Sequence, residues 1–289
     1  MKIGIDSYCY HRFFGEVYPE QEKPSKEMSV EDFIKRAAEL KVDGVSLESC
    51  FIPRFDDSYL SELKGLLDEY NLDRVWAWGH PDGLEGGKNE KEFDEMVKHI
   101  DYAKAIGADV MRVVGSSLMF RNEPHAPQIE KLSKMFSKAV KTAEKAGIKL
   151  ADENHIDYNS DEMLEIITNV NSPYFGINFD TGNFVRVLDD PVQAMEKLAK
   201  YTFSTHIKDL RLEGNGQAVN HWHFFACTPV GDGGIVDNQK IGQLLEDAGY
   251  EGVMAVEIDF LHPDYKNNED KAVAKSVKEL KRIAAAVSK

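Results

Sequence analysis

IKLADENH (residues 148–155) is one of four short apolar runs in this chain that end in polar residues; the others are FGINFDTGN (175–183), TFSTHIKD (202–209) and VMAVEID (253–259). Each run is typical of a buried parallel strand with a polar side chain at its carboxyl end. The polar residues at these ends include three carboxylates and one imidazole, namely Glu153, Asp180, His206 and Glu257. Unrelated strand ends do not usually form such a series, so we expect the four side chains to converge.

Strands and helices alternate on both sides of these runs. Apolar runs predict four further strands at 3–7, 44–48, 74–78 and 109–115, and helices are predicted at 29–40, 57–70, 89–106, 128–146, 160–170, 190–200, 238–248 and 268–287. Ser29 and Asp32 are spaced like a capping box, and glycines stand between several helices and the next strand. Eight strand–helix units predict an α/β protein, a single (β/α)₈ TIM barrel with residues 1–289 as one domain.

The composition restricts the classes of partner. The chain has 289 residues, 42% of them apolar, and a formal net charge of −15. Such an acidic surface repels nucleic acid and anionic membranes, so neither is an expected partner. The three cysteines form no disulfide framework, the strand at 3–7 leaves no room for a signal peptide, and no apolar run approaches the roughly 20 residues of a membrane span. We therefore expect a cytoplasmic protein.

The four strand-end side chains predict a metal site. Three carboxylates meeting at one point repel each other unless a cation lies among them. Carboxylates are hard ligands and imidazole is borderline, so one divalent cation such as Mn²⁺, Mg²⁺ or Co²⁺ suits the set better than structural Zn²⁺. The cation would polarise a carbonyl and stabilise the enediolate that forms when the neighbouring carbon loses a proton. Glu153 and Glu257 could flank the substrate as bases.

The ordered set ENH (153–155), FDTGN (179–183), HIKD (206–209), PVGDGGIVD (229–237) and VEID (256–259) resembles the xylose isomerase-like barrels called sugar phosphate isomerases/epimerases. The resemblance implies that Glu153, Asp180, His206 and Glu257 bind one divalent metal, most often manganese; Zn²⁺ is a further possible ion. In similar ketose 3-epimerases the two glutamates are the acid/base pair, which maps to Glu153 and Glu257. Those enzymes carry a histidine where this chain has Asn183, which we place among the substrate-binding candidates.

His155, two residues after Glu153, adds a further catalytic candidate. A neutral imidazole beside a metal is a suitable general base near neutral pH. The Glu-x-His spacing and the aromatic segment SYCYHRFFGEVY (7–18) resemble the catalytic α subunit of C-glycoside deglycosidases. That resemblance implies that His155 is the base, that the substrate is a 3-keto-glycoside, and that a small β subunit is a partner. Alternatively, His155 only orients a neighbour or lies at the rim.

Several other side chains are candidates for substrate binding. His80 follows the strand at 74–78 and either contacts substrate or is an ordinary surface histidine. Lys208 binds a substrate hydroxyl or phosphate, or pairs with Asp209. His221 and His223 alternate, so they face the cleft together or belong to a second metal motif.

Two long connections and one charged strand residue complete the pattern. Segments 8–28 and 210–236 both follow strands, where loops shape substrate sites, and the aromatic first segment could form a wall of the cleft. Arg112 lies inside a predicted strand and needs a partner, either Glu153 or Glu48.

Two other classes of protein fit less well. A DNA-repair endonuclease on this barrel needs more histidine ligands than VVGSS (113–117) and DTGN (180–183) supply. A non-catalytic binding module needs no acidic cluster that demands a cation. We therefore predict a metal-dependent sugar isomerase or epimerase; the alternative is a lyase of the same barrel family, either a C-glycoside deglycosidase α subunit or a keto-inositol dehydratase type. The expected partners are a small sugar or glycoside substrate and either a second copy of the chain or a small β subunit.

Overall fold

The computed structural model describes residues 1–212 and 225–287 and contains a closed barrel of eight parallel strands. Together with a two-stranded hairpin, the strands in chain order are β1 (Lys2–Asp6), β2 (Gly44–Glu48), β3 (Asp73–Ala77), β4 (Val110–Val113), β5 (Lys149–Glu153), β6 (Phe175–Asp180), β7 (Thr202–Ile207), β8 (Asp209–Leu212), β9 (Phe225–Thr228) and β10 (Val253–Val256). The barrel closes where β1 pairs in parallel with β10. The predicted (β/α)₈ fold is confirmed.

Helices surround the barrel in the described ranges. They are α1 (Val30–Glu39), α2 (Asp57–Glu69), α3 (Glu90–Ala105), α4 (His125–Ala146), α5 (Ser160–Val170), α6 (Thr181–Arg186), α7 (Pro191–Leu198), α8 (Asn238–Asp247) and α9 (Glu269–Val287). None of these helices is long and apolar enough to cross a bilayer.

Local signals in the sequence set several of these helix ends. Ser29 precedes α1, and its side chain accepts a hydrogen bond from the Asp32 N–H while the Asp32 carboxylate accepts from the Ser29 N–H. This reciprocal pair is the predicted capping box, which satisfies two backbone donors at the helix start. At the end of α4, Gly147 has φ of 79°, a left-handed conformation that glycine adopts without steric cost and that turns the chain toward β5.

The apolar core lies between the barrel wall and the helices. Trp76 of β3 is buried, and its indole N–H donates to Nδ1 of His99 on α3 at 3.1 Å. On another side of the barrel, the rings of Phe136 on α4 and Phe175 on β6 lie 4.8 Å apart. These contacts join the strands to the helices. The polar side chains lie apart from this core, at the carboxyl ends of the strands.

The segments that follow β1, β6 and β7 contain structure that the sequence analysis did not predict. A 3₁₀ helix spans Ser7–Phe14 after β1, and β8 pairs with β9 as an antiparallel two-stranded sheet that involves the long connection at 210–236. Helix α6 begins directly at the end of β6, because Asp180 Oδ1 accepts hydrogen bonds from the N–H groups of Gly182 and Asn183, both at 2.8 Å. All three segments lie at the carboxyl edge of the barrel.

Candidate metal centre

The four predicted ligands meet at the carboxyl edge of the barrel. Glu153 ends β5, Asp180 ends β6, His206 lies near the end of β7, and Glu257 follows β10. One ligand atom from each side chain lies within 4.8 Å of those of the others, and all four residues are buried. Parallel strands bring their carboxyl ends to one edge, which is why polar residues scattered over about 100 positions of the chain become neighbours.

The atoms of this cluster face one another around Nδ1 of His206. That nitrogen lies 2.5 Å from Glu257 Oε2, 3.4 Å from Glu153 Oε1 and 3.9 Å from Asp180 Oδ2. Among the described residues, no hydrogen bond of regular geometry reaches His206 Nδ1, Glu257 Oε2 or Asp180 Oδ2, although Lys208 Nζ forms an ion pair with Asp180 Oδ2 at 2.9 Å. Buried polar atoms are normally hydrogen-bonded, so carboxylate oxygens and an imidazole nitrogen that face one another with few hydrogen bonds fit a bound cation.

Two cationic side chains border the cluster. Arg112 of β4 donates to Glu153 Oε2 and lies 3.3 Å from Glu48 Oε2, so both partners expected for this arginine are used. Lys208 places Nζ 2.9 Å from Asp180 Oδ2 and 3.3 Å from Glu257 Oε1. Positive charge therefore already lies among these carboxylates, as their mutual repulsion requires.

The pairing of Lys208 with Asp209, one of the two alternatives for this lysine, is wrong. Lys208 instead bonds Asp259, with Nζ 2.9 Å from Oδ2. The Asp209 carboxylate accepts backbone N–H groups from Gly231 at 3.0 Å and Val236 at 3.1 Å, and so fixes the turn before α8. Consecutive residues at a strand end point in opposite directions, which separates these two side chains.

Burial and ion pairing shift the pKa values of the cluster in opposite directions. Burial alone would lower the pKa of His206, but Glu257 and Glu153 outweigh it and raise that pKa well above its usual value. Burial would raise the pKa of Glu153, yet Arg112 and His206 bring it well below its ordinary range. For Asp180 burial prevails over Lys208 and raises the pKa to about 7. The carboxylates around His206 therefore favour a positive charge at this position.

A cleft of about 500 Å³ opens beside the cluster. Its lining includes the charged or polar side chains of Arg112, His155, Asn183, Lys208, Glu257 and Asp259 and the aromatic or apolar side chains of Tyr8, Tyr18, Pro81, Leu118, Met119 and Ile156. Tyr8 and Tyr18 come from the long segment after β1, which confirms that this aromatic segment forms a wall of the cleft. A volume of this size suits a small organic molecule with both polar and apolar parts.

His155 lies in the cleft lining just beyond the end of β5. The strand stops at Glu153, so His155 reaches the cleft from a turn and not from the strand. Its backbone N–H donates to Asp157 Oδ1 at 2.8 Å, and Ile156 adopts φ of 62°, which is costly for a β-branched residue. Burial lowers the pKa of His155 to about 4 against the opposing effect of Glu153, so the ring is neutral at neutral pH.

The other substrate-binding candidates have different surroundings. Asn183 lines the cleft and donates from Nδ2 to Glu153 Oε1 at 3.3 Å. His80 also lines the cleft, stacks on Trp78 with ring centroids 5.5 Å apart, and has Nε2 3.7 Å from Glu92 Oε2. His221 and His223 lie outside the described residues.

Sequence reasoning missed two carboxylates at this edge. Asp6 is the last residue of β1, is buried, and faces His206. Asp259 follows Glu257 by two residues and bonds both Arg186 and Lys208. Asp6 carried the same signal as the four predicted ligands, a polar residue at the end of an apolar run, in the sequence IGID.

Comparison with known proteins defines the family. A sequence profile of the family described as Xylose isomerase-like TIM barrel matches residues 34–283, and the chain belongs to this family. An inosose dehydratase of Mesomycoplasma hyopneumoniae strain J is 27% identical over 251 residues, which cover 80% of this chain and 81% of that protein. An inosose dehydratase of Clostridium beijerinckii is 25% identical over 216 residues, covering 68% of this chain and 72% of that protein.

Solved structures share the architecture. The IOLI protein with a zinc atom aligns with a TM-score of 0.75 at 16% identity, covering 99% of both chains. A D-psicose 3-epimerase in the presence of D-fructose aligns with a TM-score of 0.73 at 13% identity, covering 98% of this chain and 99% of that one. At these identities the likeness shows the fold alone. The relatives by sequence and the family together make this chain an enzyme of the isomerase, epimerase or lyase kind.

Proposed function

We propose that this enzyme removes a proton from the carbon next to a carbonyl of a sugar-like polyol, with one divalent cation held by Glu153, Asp180, His206 and Glu257. The observation that carries the proposal is the meeting of four buried ligand atoms within 4.8 Å of one another. The oxygen-rich donor set favours Mn²⁺, with Mg²⁺, Co²⁺ and Zn²⁺ as alternatives. When bound, the cation would act as a Lewis acid on the substrate carbonyl.

His155 is the proposed general base. It is neutral at neutral pH because burial lowers its pKa to about 4, and its Nδ1 has no hydrogen-bond partner among the described residues. Glu153 suits this role less well, since Arg112 bonds its carboxylate and its pKa lies well below the ordinary range. Glu257 lines the cleft, and we assign to it the holding or return of a proton on another side of the substrate.

Loss of the proton leaves an enediolate, which can react further in two ways. In a lyase it forms a carbon–carbon double bond as the neighbouring C–O bond breaks, and the departing oxygen takes up a proton to leave as water. In an isomerase or epimerase a proton returns to carbon or to oxygen. The relatives named inosose dehydratase support elimination of water from a cyclic keto-polyol, and we favour that outcome over epimerisation.

A second candidate reaction is elimination from a 3-keto-glycoside, in which the bond between the anomeric carbon and an apolar aglycone breaks and the aglycone takes up a proton as it leaves. The observation that favours it is the set of aromatic and apolar side chains in the cleft lining, which includes Tyr8, Tyr18, Leu118, Met119 and Ile156. A bare polyol leaves this surface uncovered, whereas an aglycone would bury it.

Substitution of Glu257 tests the metal-dependent chemistry. Glu257→Gln removes one ligand charge and should release the cation and abolish turnover of inosose with added Mn²⁺. Glu251→Gln is the matched control, because Glu251 is exposed near the start of the same strand, at the opposite end of the barrel. Elemental analysis and turnover are measured together. A Glu257→Gln enzyme that is metal-free and fully active contradicts the proposed function.

Reaction in D₂O distinguishes elimination from epimerisation. Elimination should yield a product that has lost water, while epimerisation should yield a stereoisomer that keeps every atom of the substrate except for one hydrogen replaced by deuterium at the reacting carbon. Inosose and an aryl 3-keto-glycoside are offered in parallel, and release of the aryl group from the second compound would favour the glycoside reaction.

A further inference from the structure

Asp6 is a buried carboxylate that the proposed chemistry does not use. It ends β1, has no exposed surface, and lies on the far side of His206 from the other carboxylates. Its Oδ1 accepts the N–H of Tyr8 at 2.6 Å, while its Oδ2 has no hydrogen-bond partner among the described residues. A buried carboxylate oxygen without a donor is costly, so this atom calls for a partner.

The two ring nitrogens of His206 face different groups. Nδ1 faces Glu257, Glu153 and Asp180, whereas Nε2 lies 3.4 Å from Asp6 Oδ2. That distance is a few tenths of an ångström longer than a normal N–H···O bond of about 2.9–3.0 Å, and a small rotation of the ring would close it. An imidazole that binds a metal through one nitrogen carries its proton on the other, where a hydrogen-bond acceptor fixes the tautomer.

We propose that Asp6 is a positioning residue that accepts the Nε2 proton of His206 and thereby presents Nδ1 as the lone-pair donor to the cation. This inference rests on the proposed function, because it needs a cation at the carboxylate cluster. It also ties the centre to the cleft wall, since the second oxygen of Asp6 holds the backbone of Tyr8, whose ring lines the cleft.

A second cation held by Asp6, Glu48 and His206 is the competing explanation for the unpartnered oxygen, because their ligand atoms also lie within 4.8 Å of one another. The guanidinium of Arg112 lies 3.3 Å from Glu48 Oε2 and already supplies positive charge there. A single His206 could serve two cations only by losing both ring protons. A hydrogen bond from Nε2 to Asp6 needs no second cation and leaves the proton on Nε2.

Asp6→Asn tests the proposal while keeping the shape of the side chain. The amide offers one acceptor oxygen where the carboxylate offers two, so either the Tyr8 N–H or the His206 Nε2 proton loses its acceptor. If the oxygen stays with Tyr8, the amide N–H₂ group faces Nε2 and favours the tautomer with a proton on Nδ1, which cannot bind the cation. Asp43→Asn is the matched control, because Asp43 Oδ2 likewise accepts a backbone N–H, that of Ile3, at the other end of β1.

Calorimetric titration with Co²⁺ measures the stoichiometry and the affinity of metal binding in each protein. The parent and Asp43→Asn should bind one Co²⁺ per chain with equal affinity, and Asp6→Asn should still bind one but about 10–100-fold more weakly. Affinity of Asp6→Asn within twofold of the parent would overturn the role of Asp6, as would two Co²⁺ per parent chain falling to one in the variant. A parent that binds no Co²⁺ would instead overturn the proposed metal-dependent function, and the role of Asp6 with it.

Nitrogen NMR of the parent keeps the proposal testable if Asp6→Asn does not fold. With Zn²⁺ bound, the His206 ring should show a metal-bound Nδ1 and a protonated Nε2, assigned by loss of the signals in His206→Ala. A metal-bound Nε2 would rule out the proposed arrangement.

Discussion

His155 shows how the position of one side chain depends on where a strand stops. Two residues separate it from Glu153, and a continued strand would put both on one face. The strand ends at Glu153, and the chain turns through Ile156 at φ of 62°. Strain of this kind persists only where the surroundings impose it, and here it accompanies a histidine in the cleft lining.

Replacement of His155 tests whether it is the base. His155→Ala should lower turnover by about 10²–10⁴-fold, the usual contribution of a general base, and leave the cation content unchanged. His125→Ala is the control, because His125 lies at the start of α4, where it bonds Glu162 and does not line the described cleft. Turnover and metal content are measured on the same preparations. Near-parental turnover with a full complement of metal would exclude His155 and leave Glu153 and Glu257 as the pair.

Helix α6 illustrates a device built from one residue at the junction of two elements. Asp180 ends β6 and caps α6 with Oδ1, which leaves Oδ2 directed toward the metal cluster. The cap fixes the carboxylate, so the ligand atom is held in place before any cation binds. Helix α6 is only six residues long, and no apolar periodicity in the sequence predicts it.

The contact between β3 and α3 should make stability depend on pH. Burial lowers the pKa of His99 to about 4, and its Nδ1 must be unprotonated to accept the indole N–H of Trp76. Between pH of about 6.5 and 4 the unfolded chain binds a proton that the folded protein does not, so stability is lost as the pH falls through this range and is unaffected above it. The loss is at most about 3 kcal/mol, reduced by the solvent that reaches the ring.

His99→Asn isolates this effect, because the amide oxygen can accept the same hydrogen bond without titrating. The variant should be less stable than the parent at pH 7.5, since it loses ring packing against Phe55 and Tyr102. That deficit should shrink or reverse at pH 4.5. Denaturant unfolding at both pH values gives the difference between the two proteins, in which all other titrating groups cancel. An equal deficit at both pH values would show that His99 does not titrate as described.

The barrel as a whole should gain stability from the cation. A cation that binds only the folded state adds about 2.7 kcal/mol at a concentration of 100 times its Kd. Asp180→Asn keeps the cap on α6, because asparagine caps as well as aspartate, but removes one ligand charge. Without added metal the variant should unfold close to the parental temperature, because only two carboxylates of the ligand set then repel each other and Lys208 keeps Asp259 as a partner.

Thermal unfolding with and without Mn²⁺ measures this contribution. The parent should show a rise in Tm on addition of Mn²⁺, and Asp180→Asn should show little or none. Equal stabilisation of both proteins by Mn²⁺ would remove Asp180 from the ligand set.

The barrel and the four polar strand ends that meet at its carboxyl edge could be predicted from the amino-acid sequence. These features follow from local signals, since apolar runs, caps such as Ser29 with Asp32, and helix-ending glycines are readable from neighbouring residues. Once eight parallel strands close, polar residues at the ends of β5, β6, β7 and β10 must become neighbours. The ordered motifs also indicated the family correctly.

The partner of each of these polar groups could not be predicted from the sequence and is known from the folded structure. Asp6 faces His206 because β1 and β7 both flank β10, a contact between residues 200 positions apart that no local pattern encodes. Lys208 bonds Asp259 and Asp180 in place of its sequence neighbour Asp209, because side-chain direction is fixed by the strand and not by proximity in sequence. Hydrogen bonds and ion pairs depend on tenths of an ångström, and those distances exist only after the barrel has closed.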